Sequence, residues 1–86
     1  MSDILAITYE GSYTVAKSDT VADPNGPFAA IYSGGGGIVK FTTKTGITDT
    51  VTLVAGGYLR VAVSRVWNGT TTATDIHGLT AGAYRP

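Results

Sequence analysis

Apolar and polar side chains alternate over short stretches of this chain, which is the pattern of β-strands. From Thr50 to Val54, Val51 and Leu53 fall on one face and the threonines between them on the other, as in a half-buried strand. No segment repeats apolar residues at helical spacings over two full turns. The pattern predicts an all-β fold, namely a small antiparallel β-barrel or β-sandwich of about six to eight short strands.

The longest apolar run, from Tyr58 to Trp67, predicts one long strand. Its core face is expected to carry Leu59, Val61 and Val63. Val66 falls on the opposite face, which predicts either a β-bulge near Ser64 or a strand that is buried on both sides at its far end. Shorter strands are predicted at Tyr13–Ala16 and Ile76–Leu79, with a strand or an extended arm at Ile4–Tyr9 that ends at Glu10-Gly11-Ser12.

Four consecutive glycines lie between strand-forming residues in the stretch from Tyr32 to Lys40, YSGGGGIVK. A phosphate-binding loop would end in Lys followed by Ser or Thr and open a helix, and a dinucleotide-binding loop also needs a helix directly after it. Here the glycines run into Ile38 and Val39, which favour a strand. The sequence therefore predicts a hairpin turn at the glycines, between strands at Phe28–Ser33 and Ile38–Thr43.

The segment from Lys17 to Pro27, KSDTVADPNGP, predicts an irregular loop, because its prolines lack the amide donor that a strand ladder needs. Asp19, Asp23 and Asn25 crowd this loop and have oxygens that suit calcium, but they lack the spacing of a calcium loop. We therefore expect Asp19 and Asn25 to cap turns with their side-chain oxygens. No metal site and no cofactor are expected.

The chain has 86 residues and is expected to form a single β domain over residues 1–86, with an extended N-terminal arm at 1–11 and a C-terminal tail at 80–86. A domain of this length buries only about 60 to 65% of the surface that its unfolded chain exposes, so its core is thin. The sequence contains no cysteine, which excludes disulfides, thiolate metal sites and a Cys nucleophile. Packing against other subunits remains as a source of stability, and we expect a homo-oligomer.

The charge of the chain supports this expectation. Charged residues make up 14% of the sequence, against about 25% in typical soluble domains. The formal net charge is +0, so neither nucleic acid nor an anionic membrane is expected as a partner. No apolar run approaches the about 20 residues that span a bilayer, and Met1-Ser2-Asp3 lacks the basic start of a secretory signal. We expect the mature protein to begin at Met1.

Four stretches of the sequence together carry a resemblance to a known family. From about Tyr13 to Leu79, roughly three quarters of the chain, the order of pieces resembles the small head spike base proteins of gene transfer agents and tailed bacteriophages. The pieces are SDT from Ser18, PFAAIYSGGGG, DTVTLVAGGYLRVAVSRV and the threonine-rich NGTTTATDI. Two departures are the segment after Gly37, which lacks the expected acidic residue, and the final HGLTAGAYRP, which extends beyond the expected end of the family.

The resemblance implies a non-enzymatic virion structural protein on the capsid surface. Such a protein would assemble as a ring, most naturally a pentamer at a five-fold vertex, and hold a head spike or fibre. Its partners would be the major capsid protein and the spike or fibre protein. From the residues alone the ring size stays open, because a heterologous interface closes at whatever rotation its contacts set. The alternatives are a capsid decoration or cement protein and a carbohydrate-binding module of a phage fibre.

Candidate chemistry in the sequence centres on His77, the single histidine. On an extended segment the side chains of Asp75 and His77 would point to the same side, as a general base and its orienting carboxylate do. No nucleophile is marked near them, because no threonine lies in a recognised elbow. A small hydrolase built around His77 is therefore a rival hypothesis, and no catalytic residue is predicted. Asn68-Gly69-Thr70 matches a glycosylation sequon, and we interpret it as a turn.

Four residues are predicted to form a subunit or partner interface: Tyr58, Arg60, Arg65 and Trp67. Aromatic residues and arginine are enriched at protein interfaces, where they combine a large buried area with directional hydrogen bonds. For Arg65 and Trp67 the alternative is that the arginine stem covers the tryptophan within one subunit. In the carbohydrate-binding alternative, exposed Tyr58, Tyr84 or Trp67 would stack on sugar rings.

Overall fold

The computed structural model describes residues 9–81, which form six β-strands in one antiparallel sheet and no helix. The strands are β1 (Tyr9–Thr14), β2 (Ala30–Thr43), β3 (Thr48–Leu53), β4 (Gly57–Leu59), β5 (Val63–Val66) and β6 (Thr74–Ala81). The prediction of a small all-β fold is confirmed, and the sheet is not closed into a barrel. Residues 1–8 of the predicted N-terminal arm and residues 82–86 of the predicted tail lie outside the described part of the chain.

The central strand β2 organises the sheet as two half-sheets. Its N-terminal half, Ala30–Ser33, pairs with β6 on one edge and β4 on the other, and β1 adds to the outer edge of β6. Its C-terminal half, from Gly37 to Thr43, pairs with β3 on one edge and β5 on the other. We call the set β1, β6, β2 and β4 the first half-sheet and the set β3, β2 and β5 the second half-sheet.

The predicted hairpin turn at the glycines is wrong, because β2 passes through them as one continuous bent strand. The register with β6 shifts between Ser33 and Gly36, where the bend lies. Gly36 and Gly37 have φ values of 75° and 130°, which side chains other than glycine rarely adopt. A Cβ on Gly36 would lie 2.7 Å from the amide nitrogen of Ala55, and one on Gly37 would lie 2.7 Å from the Cα of Ala73. The glycines are needed because other backbone segments pack directly against the bend.

The bend brings both ends of β2 to the same residue of β5. Val63 exchanges backbone hydrogen bonds of 2.7 and 3.0 Å with Phe28, and it also pairs with Thr43. A single apolar cluster fills the space between the half-sheets and is contributed by both of them. Its buried members are Val15, Phe28, Ile31, Val39, Phe41, Val63, Val66, Ala73 and Ile76. Val51 and Leu53 pack against this cluster, as their alternation predicts.

The single long strand predicted from Tyr58 to Trp67 is also wrong, because the chain divides there into β4 and β5. The two strands pair with opposite ends of β2, so the chain crosses from one half-sheet to the other between them. Val61 lies in this crossing and is 36% exposed, which corrects its predicted place in the core. Val63 is fully buried and Leu59 packs against the core, as expected.

The predicted bulge near Ser64 is confirmed. Thr42 pairs with Arg65 and the next residue, Thr43, pairs with Val63, so Ser64 is the extra residue of β5. The Ser64 hydroxyl lies 3.2 Å from the carbonyl oxygens of both Thr42 and Thr43 and donates to them. A side-chain donor thereby replaces the ladder contact that the bulge removes.

Near the N-terminus, the predicted break at Glu10-Gly11-Ser12 is absent, because these residues belong to β1. The register between β1 and β6 shifts between Tyr9 and Gly11, so the local irregularity is accommodated inside the strand rather than by ending it. Glycine therefore marks a bulge at this position and not a turn. The predicted short strand at Tyr13–Ala16 is correspondingly placed too far along the chain.

The irregular loop predicted before β2 is confirmed, and its carboxylates are occupied by backbone amides. Asp19 Oδ1 accepts hydrogen bonds of 3.0 and 2.8 Å from the amides of Asn68 and Gly69, so it caps the predicted turn there. Buried Asp23, and not Asn25, caps the second turn: its two oxygens accept the amides of Ala16 and Asn25 at 2.9 Å each. Within residues 9–81 no three His, Cys, Asp or Glu side chains cluster as metal ligands would.

Candidate interaction surfaces

The two half-sheets share one core, so their outer faces point away from each other. Ile31 and Ile76 enter the core from the first half-sheet, and Val39 and Phe41 enter it from the second. Residues at alternate positions of the same strands lie on the outside. We call the outside of the first half-sheet the first face and the outside of the second half-sheet the second face.

An aromatic row crosses the first face. Tyr32 on β2 pairs with His77 on β6 and with Tyr58 on β4, so the three side chains are cross-strand neighbours. The centroid of the Tyr32 ring lies 5.1 Å from the centroid of the Tyr58 ring and 6.2 Å from that of the His77 ring. Together with Ser12 and Leu79 these residues line an open depression of about 310 Å³.

Two of the predicted interface residues meet at the edge of this depression. Tyr58 is 50% exposed, and the Arg60 guanidinium carbon lies 5.8 Å from the centre of its ring. A cation at this distance from an aromatic ring is attracted by the ring's electron density. The edge strand β4 and the residue directly after it therefore present an exposed aromatic ring and an arginine side by side.

The predicted orientation of Asp75 and His77 is confirmed. His77 Nε2 lies 2.9 Å from Asp75 Oδ1, and both side chains are open to solvent. Asp75 has a φ of 55°, a conformation that aspartate tolerates better than most residues. Among residues 9–81 no hydroxyl group is hydrogen-bonded to the imidazole of His77. The structure thus provides a histidine with an orienting carboxylate and does not add the nucleophile that a hydrolase would need.

The second face carries the other two predicted interface residues. The Arg65 guanidinium carbon lies 3.9 Å and the Lys40 ammonium 4.2 Å from the centre of the Trp67 ring. Two like charges this close to one ring are most favourable on its opposite sides, and little of the ring is then left for another molecule to stack on. The indole Nε1 donates a 3.0 Å hydrogen bond to Thr42 Oγ1. Arg65 therefore stacks on Trp67 within one chain, and its stem covers part of the indole.

The cations on the second face are not neutralised by neighbouring acids. The contact between His77 and Asp75 is the one within ion-pair distance that residues 9–81 form, so within this range neither Lys40 nor Arg65 has a carboxylate partner. Arg65 Nη1 donates instead to the backbone carbonyl of Asp19 at 3.1 Å. The second face is thus a polar surface with exposed positive charge around a rigidly held tryptophan.

Sequence reasoning identified the four interface candidates but not their neighbours. Tyr32 and Lys40 join them through strand register, which is set by residues far apart in the chain. The one available signal was the alternation along β2. Tyr32 and Lys40 are both an even number of residues from Ile38, which is exposed. The structure also separates the candidates into two pairs, Tyr58 with Arg60 and Arg65 with Trp67, on different faces.

Comparison with protein-family models and with the curated proteins finds no match. Among solved structures, the chain is similar to a chain of the capsid of a native gene transfer agent (GTA) particle computed with C5 symmetry. The two are 33% identical, the TM-score is 0.74, and the match covers 84% of this chain and 83% of the other. This chain belongs to the same family as that capsid protein. It is a virion protein of the kind found in gene transfer agents and phages, with its place in the capsid.

This virion protein presents its interaction surfaces on a sheet. No helix within residues 9–81 is long and apolar enough to cross a membrane. Both faces are built on paired strands, so their side chains are held in fixed positions relative to the core.

Proposed function

We propose that the protein is a head spike base protein, a non-enzymatic subunit that forms a ring on the capsid surface and anchors a spike or fibre. The observation that carries this proposal is the 33% identity, over most of both chains, to a chain of a native GTA capsid. The sequence stretches that resemble head spike base proteins supply the more specific part. A thin core and charged residues at only 14% of the sequence favour a chain that is stabilised by its neighbours.

A pentamer at a five-fold vertex is the assembly that we propose. The similar capsid was computed with C5 symmetry, which suits a protein arranged in fives around a vertex. A ring of this kind requires a heterologous contact, in which one surface of each copy meets a different surface of the next. The first and second faces differ in composition and point away from each other, so they satisfy this requirement.

Tyr58 and Arg60 on the first face, and Arg65 and Trp67 on the second face, are the proposed contact residues. An exposed tyrosine provides a large contact area with few rotatable bonds, and the arginine beside it adds directional hydrogen-bond donors; both residue types are enriched among strong contact residues in interfaces. The cations around Trp67, which no carboxylate of residues 9–81 pairs with, favour a partner surface that carries carboxylates. The major capsid protein and the spike or fibre protein are the partners that we propose beyond the ring.

The proposal is tested in native particles. Cryo-electron microscopy of particles produced with and without this chain should show density at the vertices that disappears with the chain, together with the spike or fibre. Mass measurement of the purified protein should show a closed oligomer. A stable monomer that is absent from purified particles would refute the proposal. Density over the whole capsid lattice, with spikes retained after deletion, would instead identify a decoration or cement protein.

A carbohydrate-binding module of a fibre is the second candidate, and the aromatic depression on the first face favours it. The depression has an open volume of about 310 Å³ and is lined by Tyr32 and Tyr58. It resembles a site for one sugar ring in size and polarity. Trp67 does not fit this role, because two cations occupy the space around its ring. A glycan array with the intact protein and with Tyr58→Ala tests this candidate. Binding that Tyr58→Ala abolishes supports a module, and no binding leaves the scaffold role.

A further inference from the structure

An apolar groove crosses the end of the molecule where the half-sheets meet. One part, of about 230 Å³, is lined by residues that include Pro27, Ala29 and Ala81. A second part, of about 330 Å³, is lined by residues that include Ile47 and Val61. Lys44 and Ala62 line both parts, so the two lie next to each other. We call this surface the end groove.

The end groove exposes large apolar side chains that the chain's described residues do not cover. Ile47 is 63% exposed and Val61 is 36% exposed. Lys44 is the charged residue that lines the groove within the described range. Exposed apolar surface that is continuous and bordered by polar groups is characteristic of a binding site for another protein segment.

The groove adjoins the point where the described part of the chain begins. Tyr9, the first residue of β1, pairs with Ala81, which lines the groove. From Tyr9, β1 leads away from the groove toward Thr14, which pairs with His77. The eight preceding residues, MSDILAIT, contain four consecutive apolar residues and one charged side chain, Asp3. This segment matches the groove in character, because Ile4 to Ile7 are apolar and Asp3 is opposite in charge to Lys44.

We propose that the segment Ile4–Ile7 of one copy binds in the end groove of a neighbouring copy. The proposal rests on the ring assembly proposed above and identifies one of its contacts. An extended segment of eight residues spans up to about 27 Å, which is enough to leave one small domain and enter the next. In every copy, the apolar segment and the apolar groove of the next copy then cover each other. Each of them would be exposed to water in a free chain.

The neighbouring copy, and not the same copy, is the proposed host because of the local sequence. Entry into its own groove would require the chain to reverse direction directly before Tyr9. Tight reversals use Gly, Pro, Asn or Asp, whereas Ile7 and Thr8 are β-branched and favour extended backbone. A chain that continues straight past the end of β1 leaves the molecule and can reach the next one.

Cross-linking through introduced cysteines tests the proposal directly, because the protein has no cysteine of its own. Full-length chains carrying Ile7→Cys are mixed with chains carrying Val61→Cys and treated with a short bis-maleimide. Peptide mass spectrometry should identify a link between positions 7 and 61 of different chains. The matched control replaces Val61→Cys by Val54→Cys, a 75% exposed position in the β3–β4 turn that does not line the groove, and should give no link to position 7. No 7–61 link in the mixture overturns the proposal. A link that forms only when one chain carries both cysteines would place the segment in its own groove, and it overturns the proposal as well.

A charge introduced into the groove provides the second measurement. Val61→Asp should weaken ring formation at least about tenfold, because a carboxylate would be buried against Ile4–Ile7. Val54→Asp changes a more exposed valine in the β3–β4 turn, 75% exposed against 36% for Val61, and should leave assembly unchanged. If rings form normally with Val61→Asp and the mixture of Ile7→Cys and Val61→Cys chains gives no 7–61 link, only this inference fails. If the wild-type protein is monomeric and missing from particles, the proposed function fails as well.

Discussion

Gly36 and Gly56 offer a matched pair of substitutions that isolates the cost of close backbone packing at the β2 bend. Both have nearly the same backbone conformation, with φ values of 75° and 78°. A Cβ on Gly56 would meet no atom within 4 Å. A Cβ on Gly36 would lie 2.7 Å from the nitrogen of Ala55 and 2.9 Å from the carbonyl carbon of Val54. Alanine therefore imposes the same φ strain at both positions but a collision with backbone only at Gly36.

The expected losses of unfolding free energy follow from these contacts. An alanine in the left-handed region costs about 1–2 kcal/mol, and loss of glycine's unfolded-state freedom offsets about 0.4–1 kcal/mol of this. Gly56→Ala should thus destabilise the protein by about 1 kcal/mol. Gly36→Ala should lose a further amount of about 1–3 kcal/mol, because backbone atoms must move to accommodate the added carbon. A domain of 86 residues has a total stability of about 4–13 kcal/mol, so the second loss is large.

Urea denaturation of both variants, followed by the fluorescence of the single tryptophan, measures these losses. The slope of the transition should stay unchanged and the midpoint should fall further for Gly36→Ala than for Gly56→Ala. Equal losses at the two positions would refute the close approach of the β3–β4 turn to the bend. A greater loss at Gly56 would show that the bend is not the strained part of the fold.

Further predictions concern the core, the buried carboxylate and the second face. Gly78→Ala should lose about 1–3 kcal/mol in the same assay, because the added Cβ would lie 2.5 Å from the buried ring of Phe28. Asp23→Ala should lose about 2–4 kcal/mol, since it removes the acceptor of two backbone amides, each at 2.9 Å, and Asp23→Asn should lose less. In a double-mutant cycle, Arg65→Met and Trp67→Leu should show a coupling of about 0.5–1 kcal/mol, whereas additive losses would contradict the stacking at 3.9 Å.

Local alternation predicted the parts of the fold that depend on neighbouring residues. The half-buried pattern of Val51 and Leu53 placed β3 correctly, and the change of parity before Val66 placed the bulge at Ser64. Both signals arise because a strand's side chains alternate with a period of two, so each residue's face is determined by its immediate neighbours.

The glycine run misled prediction because glycine serves two purposes. Glycine permits a tight turn, and it also permits two backbone segments to approach each other closely. Both uses look the same in the sequence. At Gly37 the deciding neighbour is Ala73, 36 residues further along the chain, and no local rule shows that it lies there. The division of Tyr58–Trp67 into two strands was missed for the same reason, since both strands are apolar and only their pairing partners differ.

The candidate interface residues were chosen from the sequence by residue type, and their arrangement on the fold was not predicted. Arginine and aromatic residues near one another in the sequence identified Tyr58, Arg60, Arg65 and Trp67. Their assignment to two faces depends on the crossing between β4 and β5, which exchanges one half-sheet for the other within four residues of chain. Proximity in sequence therefore indicated a single surface where the fold produces two.

The bend in β2 connects this fold to the proposed ring. In a heterologous ring the angle between the two contact surfaces of each copy determines how many copies close the circle. Here that angle is set by Gly36 and Gly37, because β2 is the strand that both half-sheets share. Side chains at the contacts can alter the affinity between copies, whereas a change at the bend alters their direction. A folded variant of the bend should therefore assemble with an altered copy number or leave rings open, even though every contact residue on both faces is retained.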